Sequence, residues 1–364
     1  MNEDKATRYR QAQRTTVWSG FALFALAMVV LLPGGGGVVL RDFLVRTTGL
    51  PATSAVTAVI FALLLAALGE IIAIPITCYG AAIERRYGFV PKAAIGERVK
   101  SIGVTAMLIG VGTFVIYFNL SQWPKGWWLI TAAMGIGVRE LLGRHSHPSA
   151  VRLFACERLG RSELRTRLEA LARRAGVDTF DVYDWTPERG QGAANALLVG
   201  TGGACSVLLS NELVRSFTPD ELEVVVAHEL GHFVHRDIRN AGWLRAVFTL
   251  VIGGTAAAAL NVVWKPLGLL APTDAAGLPV LLLAAGAVTI VTRPLLNVVS
   301  RRKEFRADEF ALNLTGRPDL FVSVMRRLAE RNLVETRPSL ATVWLFHSHP
   351  TVEQRIQAAR AFPI

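Results

Sequence analysis

The stretch Ala227-His228-Glu229-Leu230-Gly231-His232-Phe233-Val234-His235-Arg236-Asp237 decides how the chain is read. It contains His-Glu-x-x-His, and it follows Thr218-Pro219-Asp220-Glu221 and the apolar residues Leu222, Val224, Val225 and Val226. A threonine before a proline, with glutamate three residues on, marks a capped helix start, so one helix is expected through the motif. Residues four apart on a helix differ by about 40° in azimuth, so His228 and His232 face the same way. Two imidazoles on one face can hold a zinc ion and leave coordination positions open. Glu229, one residue round, stands close enough to act on water at the metal without being a ligand. So apolar a helix is largely buried, and burying these three polar residues is costly unless they pair or bind metal. The pattern points to a peptidase site with one Zn2+ per chain; the competing reading is a solvated or core-satisfied helix.

Catalytic zinc usually takes three protein ligands plus water. Cys78, Cys156 and Cys205 are scattered, odd in number and without Cys-x-x-Cys spacing, so they do not supply the third. Glu304 is the better candidate, in Arg301-Arg302-Lys303-Glu304-Phe305-Arg306-Ala307-Asp308. Asp308 lies four residues on, where it could accept the free ring N–H of a ligating histidine. By spacing alone, a solvated charged helix accounts for these residues nearly as well.

Hydrophobic residues make up 52% of the chain and charged residues 18%, with a mean hydropathy of +0.38. Several runs approach the roughly 20 apolar residues that cross a bilayer. Six spans are expected: Val17–Leu40, Ser54–Thr77, Ile102–Leu120, Trp127–Val138, Ala246–Trp264 and Leu278–Thr292. The fourth is short and bounded by Arg139 and Glu140; the first is interrupted at Pro33 and the following glycines, which mark its outer end. Lys5, Arg8, Arg10 and Arg14 precede the first span, and Arg85, Arg86, Lys92, Arg98 and Lys100 fill the second loop. The positive-inside rule then puts both termini in the cytoplasm, with residues 143–240 and 299–364 on that same side. Glu304 can therefore meet His228 and His232. The chain divides into a membrane part (1–142), a peptidase segment (143–240), the fifth and sixth spans (241–298) and a C-terminal segment (299–364). A net charge of +11 suits loops lying against an anionic leaflet. No reader motif or clustered basic face suggests nucleic acid, and in a reducing compartment disulfides are not expected.

Ser162-Glu163-Leu164 opens a helix ending near Gly176, and residues 180–184 and 206–209 read as short strands around Ala194–Gly200. The small sheet so formed has an edge that could pair with an extended peptide, although Asn195 fits a structural hairpin slightly better. His347-Ser348-His349-Pro350 leads into a helix; a histidine there could donate to an oxyanion or cap the helix. A second His145-Ser146-His147-Pro148 reads as a coincidence at another helix start. Glu70, inside the second span, is either a marker of a polar cavity or a partnered structural glutamate.

The ordered set of motifs resembles the type I CAAX prenyl endopeptidases, membrane-integrated zinc metallopeptidases, and their bacterial relatives of the HtpX type. The resemblance runs from about Ile74 to the C-terminus. Tyr79 with Glu84-Arg85-Arg86-Tyr87-Gly88-Phe89, Asn195-Ala196 with Gly200, and the zinc helix carry its first part. Residues 300–308, His349-Pro350 and Arg355-Ile356 carry the rest. The resemblance implies Glu304 as third zinc ligand, Asp308 as its supporting partner, Asn195 as a substrate-backbone contact and His349 as a transition-state donor. It implies a mainly α, polytopic membrane protein with a small α+β metalloprotease domain on the cytoplasmic side of a bacterial inner membrane. Its partners would be the lipid bilayer and a peptide or protein substrate, lipidated or membrane-bound. Eukaryotic members carry seven spans against six expected here, and Phe233-Val234-His235-Arg236-Asp237 is closer to the bacterial branch. Membrane-protein quality control is thus the alternative to C-terminal processing. A metal-regulated signalling protease lacks an outer ligand-binding domain in these short loops, and a transporter leaves the histidines and Glu304 unexplained.

Overall fold

The computed structural model describes residues 2–32, 35–88, 95–144, 156–160, 163–185, 194–200, 204–335 and 337–363. The His145–Pro148 motif lies outside them. Among the described residues, five helices are long and apolar enough to cross a membrane: Lys5–Leu31, Ala55–Arg86, Ser101–Gln122, Asp237–Val263 and Ala275–Thr315. They fall within helices α1 (Asn2–Leu31), α3 (Ala55–Arg86), α4 (Ile95–Gln122), α9 (Asp237–Val263) and α10 (Leu278–Thr315, after a 3-10 turn at Ala275–Gly277).

The expected span Val17–Leu40 is corrected. Helix α1 stops at Leu31, and Gly36–Thr48 forms a separate helix, α2, of 13 residues. Proline and glycine break helices, and Gly35 takes a left-handed φ of 80° that turns the chain. At 1.5 Å per residue α2 is about 20 Å long, too short for a hydrocarbon layer of about 30 Å. The expected fourth span lies in α5 (Trp127–Arg144). Arg139, Glu140 and Arg144 at its end keep it from matching the five in apolar length. It runs antiparallel to α9, with Trp128 against Gly253 and Gly254 and the Arg139 guanidinium donating to the Gly242 carbonyl.

Helix pairs α1–α3, α3–α4, α4–α5, α5–α9, α9–α10 and α10–α1 pack in succession and close a ring. Phe21, Leu26, Met107, Val251 and Val291 remain exposed on these helices, as lipid-facing side chains do. One end of the ring is filled by Met28, Leu44, Phe61, Tyr117, Leu260 and Leu281. There Arg41 donates to Asp274 at 2.5 Å, both side chains buried, while Asp274 also accepts the Ala276 and Leu270 N–H groups.

Beyond the opposite end sits a four-stranded sheet in the order β1-β2-β4-β3: β1 (Glu157–Arg158), β2 (Thr179–Trp185), β4 (Ala204–Ser210) and β3 (Ala196–Val199). Strands β2 and β4 are parallel and β3 pairs antiparallel to β4, so β3 is an edge. Val182, Val207 and Leu209 are fully buried against Leu168 and Leu171 of α6 (Glu163–Arg174) and Leu222, Val226 and Leu230 of α8 (Pro219–Val234). Short α7 (Asn211–Ser216) joins β4 to α8; α11 (Pro318–Arg331), α12 (Leu340–Phe346) and α13 (Val352–Arg360) follow α10. Helix α10 links the two halves. Glu304 lies 26 residues after Leu278 (304 − 278), or about 39 Å along the helix, more than the roughly 30 Å that a hydrocarbon layer measures.

Breaking a buried ion pair from one side strands the other charge. Arg41→Met should therefore cost about 3–5 kcal/mol, with Arg41→Met/Asp274→Asn recovering part of the loss, read from thermal unfolding in detergent.

Candidate active site

Helix α8 starts with a full capping box: Thr218 Oγ1 accepts from the Glu221 N–H (3.3 Å) and the Glu221 carboxylate from the Thr218 N–H (2.8 Å). Its inner face then crosses α10 at very short range. A Cβ placed on Gly231 would stand 3.0 Å from Ala307 Cα and 3.2 Å from the Ala307 carbonyl oxygen. This approach sets Glu304 between the two histidines. Glu304 Oε2 is 3.4 Å from His228 Nε2, and Oε1 is 3.4 Å from His232 Nε2. The imidazoles stand almost perpendicular, their centroids 4.8 Å apart. One donor atom from each of the three residues lies within 4.8 Å of the others.

Each histidine is fixed from behind. His228 Nδ1 is 2.8 Å from Asp308 Oδ1, and Asp308 accepts from Arg355 Nε at 2.8 Å. His232 Nδ1 is 3.0 Å from Asp237 Oδ2, and Asp237 accepts from Arg306 Nη2 at 2.8 Å. Asp237 returns to the site because α8 ends at Val234 and Arg236 adopts a left-handed φ of 56°, folding the chain back into α9. Both Nε2 atoms thus point inward with their Nδ1 atoms engaged, the arrangement that orients metal-ligating histidines.

The electrostatics suit a cation. Burial disfavours a charged His228, yet hydrogen bonds to Asp308 and Glu304 outweigh it and push its pKa up to about 9. His232 shifts upward in the same way: burial opposes, and Glu304 and Asp237 prevail. Burial raises the Glu229 carboxyl above its ordinary range, against the pull of His228 and His232. Glu304 Oε2 is buried and faces His228 Nε2 at 3.4 Å and His349 Nδ1 at 2.9 Å. Two imidazoles and one carboxylate form a donor set that fits a tetrahedral metal with an open position.

A cavity of about 460 Å³ opens over the cluster, and Asn195, Glu229, His349 and Arg355 line it. Asn195 precedes the edge strand β3. Its N–H donates to Ser210 Oγ and its carbonyl accepts the Ser210 N–H, both at 2.9 Å. His349 is mostly exposed, with Nδ1 2.9 Å from Glu304 Oε2. The cap of α13 is Thr351 rather than His349. Glu304 and Asp308 are 6% and 2% exposed, so they form no solvated face. Glu70 is exposed on α3 and does not line this cavity.

A family model described as peptidase family M48 matches residues 159–362, more than half of the chain. The chain belongs to peptidase family M48. A second model, described as the CAAX prenyl protease N-terminal, five membrane helices, matches residues 3–142, where α1 to α5 lie. The chain is 23% identical over 318 residues to an uncharacterized metalloprotease, YhfN, of Bacillus subtilis, covering 82% of this chain and 72% of YhfN. It is 27% identical over 215 residues to protease HtpX of Pseudomonas aeruginosa, covering 53% of this chain and 70% of HtpX. The crystal structure of S. mikatae Ste24p superposes with a TM-score of 0.83 at 19% identity, over 98% of this chain and 89% of that one. This member of the M48 family is a membrane-embedded metallopeptidase.

Of the residues singled out from sequence, Asn195, His228, Glu229, Glu304 and His349 line one cavity, with His232 beside Glu304 and Asp308 behind His228. Asp237, Arg306 and Arg355 were given no role there. Asp237 gives a weak signal, a carboxylate just past the end of the motif helix; the two arginines give none without the fold.

A methyl group at residue 231 would push α8 off α10 and spread the donors. Gly231→Ala should lower both the melting temperature and the metal affinity in a chelator competition. Asp237→Asn, which spares the crossing, should weaken metal binding about 10–100-fold with little change in melting temperature.

Proposed function

We propose that this peptidase is zinc-dependent, that His228, His232 and Glu304 hold one Zn2+ ion, and that it cleaves membrane-associated peptides internally. The convergence of two Nε2 atoms and one carboxylate within 4.8 Å, beside Glu229 in a cavity, carries this reading. Two imidazoles with a single carboxylate suit zinc better than cations that prefer all-oxygen shells. When bound there, the ion supplies Lewis acidity that polarises a scissile carbonyl and acidifies water.

The chain's own residues then have distinct tasks. Glu229 accepts the proton of the attacking water and delivers it to the leaving amine; its raised basicity suits a base working near neutral pH. His349 reaches the cluster from the cavity side, where its imidazole can donate to the oxyanion. Asp308 and Asp237 keep the proton of each imidazole on Nδ1. Asn195, where the edge strand faces the cavity, offers an amide to the backbone of an extended substrate, whose remaining contacts are strand-like.

The site is assigned to the cytoplasmic side. Arg10 donates to the Asn332 and Leu333 carbonyls, which ties the basic start of α1 to the site half of the molecule, and positive residues mark the inner face. We divide the chain into residues 1–142 (membrane), 143–240 (peptidase), 241–298 (two further membrane helices) and 299–364 (third ligand and His349). In the first reading the substrate is a lipidated or membrane-bound peptide, processed near its C-terminus. The sequence after His232, closer to the bacterial branch, favours a second reading, removal of damaged membrane proteins.

Glu229→Gln should retain zinc and lose about 10²–10⁴-fold in cleavage rate; full activity would overturn the assigned base. Matched peptides, one farnesylated at a CAAX-type C-terminus and one unmodified, separate the two readings. A strong preference for the lipidated peptide supports processing, and equal cleavage supports quality control.

A further inference from the structure

We infer that helix α12 lies in the membrane surface and that its seat there holds the His349 segment over the site. The helix reads Leu-Ala-Thr-Val-Trp-Leu-Phe, seven residues, and only Val343 is buried in the protein. Leu340, Trp344 and Leu345 are 86%, 60% and 44% exposed. A helix apolar on nearly every face is poorly placed in water and implies a covering phase.

Its position says what covers it. Asn297 of α10 donates to the Trp344 carbonyl at 3.2 Å, and Arg301 donates to the carbonyls of Val343 (3.1 Å) and His347 (2.7 Å). About 20 residues of helix span a hydrocarbon layer of about 30 Å, so α10, counted from Leu278, reaches the membrane boundary close to Asn297. On the other flank, Phe346 packs edge-on against Trp18 of α1, ring centroids 5.5 Å apart. Trp18 sits where the apolar run of α1 begins, between exposed Val17 and Phe21, and Leu295 is exposed on α10 just before Asn297. The bare face of α12 therefore continues the lipid-facing surface of the two helices that hold it. Tryptophan favours this interfacial depth, and exposed Arg302 and Arg337 stand close by in sequence to meet anionic headgroups. The occupant is a lipid surface, since the patch is continuous with an established membrane contact.

The consequence reaches the active site. Phe346 ends α12, His347, Ser348, His349 and Pro350 follow it directly, and all five line the cavity. The helix is a positioning element: lipid fixes α12, and α12 fixes the approach of His349 to Glu304. This second half rests on the role given to His349 above; the membrane seat does not.

The test uses the full chain in vesicles of phosphatidylcholine and phosphatidylglycerol containing nitroxide-labelled lipid. In a Cys78→Ser/Cys156→Ser background, a polarity-sensitive fluorophore is placed by Leu345→Cys, by Leu340→Cys (which gives up no packing) and, as a control, by Arg360→Cys on α13. We expect labels at 345 and 340 to be quenched several-fold more by the lipid nitroxide than the label at 360, and to be shielded from an aqueous quencher. Quenching equal to that at 360 would overturn the membrane seat, independently of any peptidase activity. Leu340→Ser/Trp344→Ser/Leu345→Ser should lower kcat several-fold at unchanged zinc content, with Leu340→Ile/Trp344→Phe/Leu345→Ile restoring it. Unchanged kcat in the serine variant would overturn the coupling to His349.

Discussion

Everything at the active site depends on how closely α8 can lie against α10. The missing Cβ of Gly231 lets the helices meet at a distance where an added methyl group would press within 3.0 Å of the backbone at Ala307. At that separation the Glu304 carboxylate reaches both Nε2 atoms, and Asp308, one turn further on, comes behind His228. Helix α10 is also long and apolar enough to cross a membrane, so the element that anchors the protein in lipid carries one residue of the proposed metal site. Depth in the bilayer and geometry at the site are consequently linked through one continuous helix.

The second constraint is charge. Glu229, Glu304, Asp308 and Asp237 are packed around two imidazoles, and among the described residues Arg355 pairs with Asp308 and Arg306 with Asp237. Such a cluster is costly to bury unless every charge has a partner. The two Asp–Arg pairs neutralise the outer layer and leave the inner carboxylate with the histidines, whose raised proton affinity expresses an unmet demand for positive charge. A divalent ion meets that demand better than two protons, which is why binding it should release protons and stiffen the crossing.

Much of this architecture was legible in the sequence where the signal is local. The capping box at Thr218, the apolar face of α8 and most of the membrane helices follow from short-range periodicity and composition. Hydropathy alone carries the first span on to Leu40, whereas the break at Pro33 and its glycines already marked its outer end, and helix α1 ends at Leu31. The two-residue strand β1 is too short to show alternation. Glu304 could not be separated from a solvated helix by spacing, since its burial depends on α8 arriving from elsewhere in the chain. The contacts of Asp237 and Arg355 depend on tertiary structure: one on a left-handed turn at Arg236, the other on a helix docked from the C-terminus.

The central claim is that His228, His232 and Glu304 form one metal site on two helices. X-ray absorption at the zinc edge of the purified, zinc-loaded protein tests it most directly. The account predicts one zinc per chain in a shell of two imidazole nitrogens and oxygen donors, and a spectrum altered in Glu304→Gln. A spectrum without imidazole scattering, or one that Glu304→Gln leaves unchanged, would contradict it.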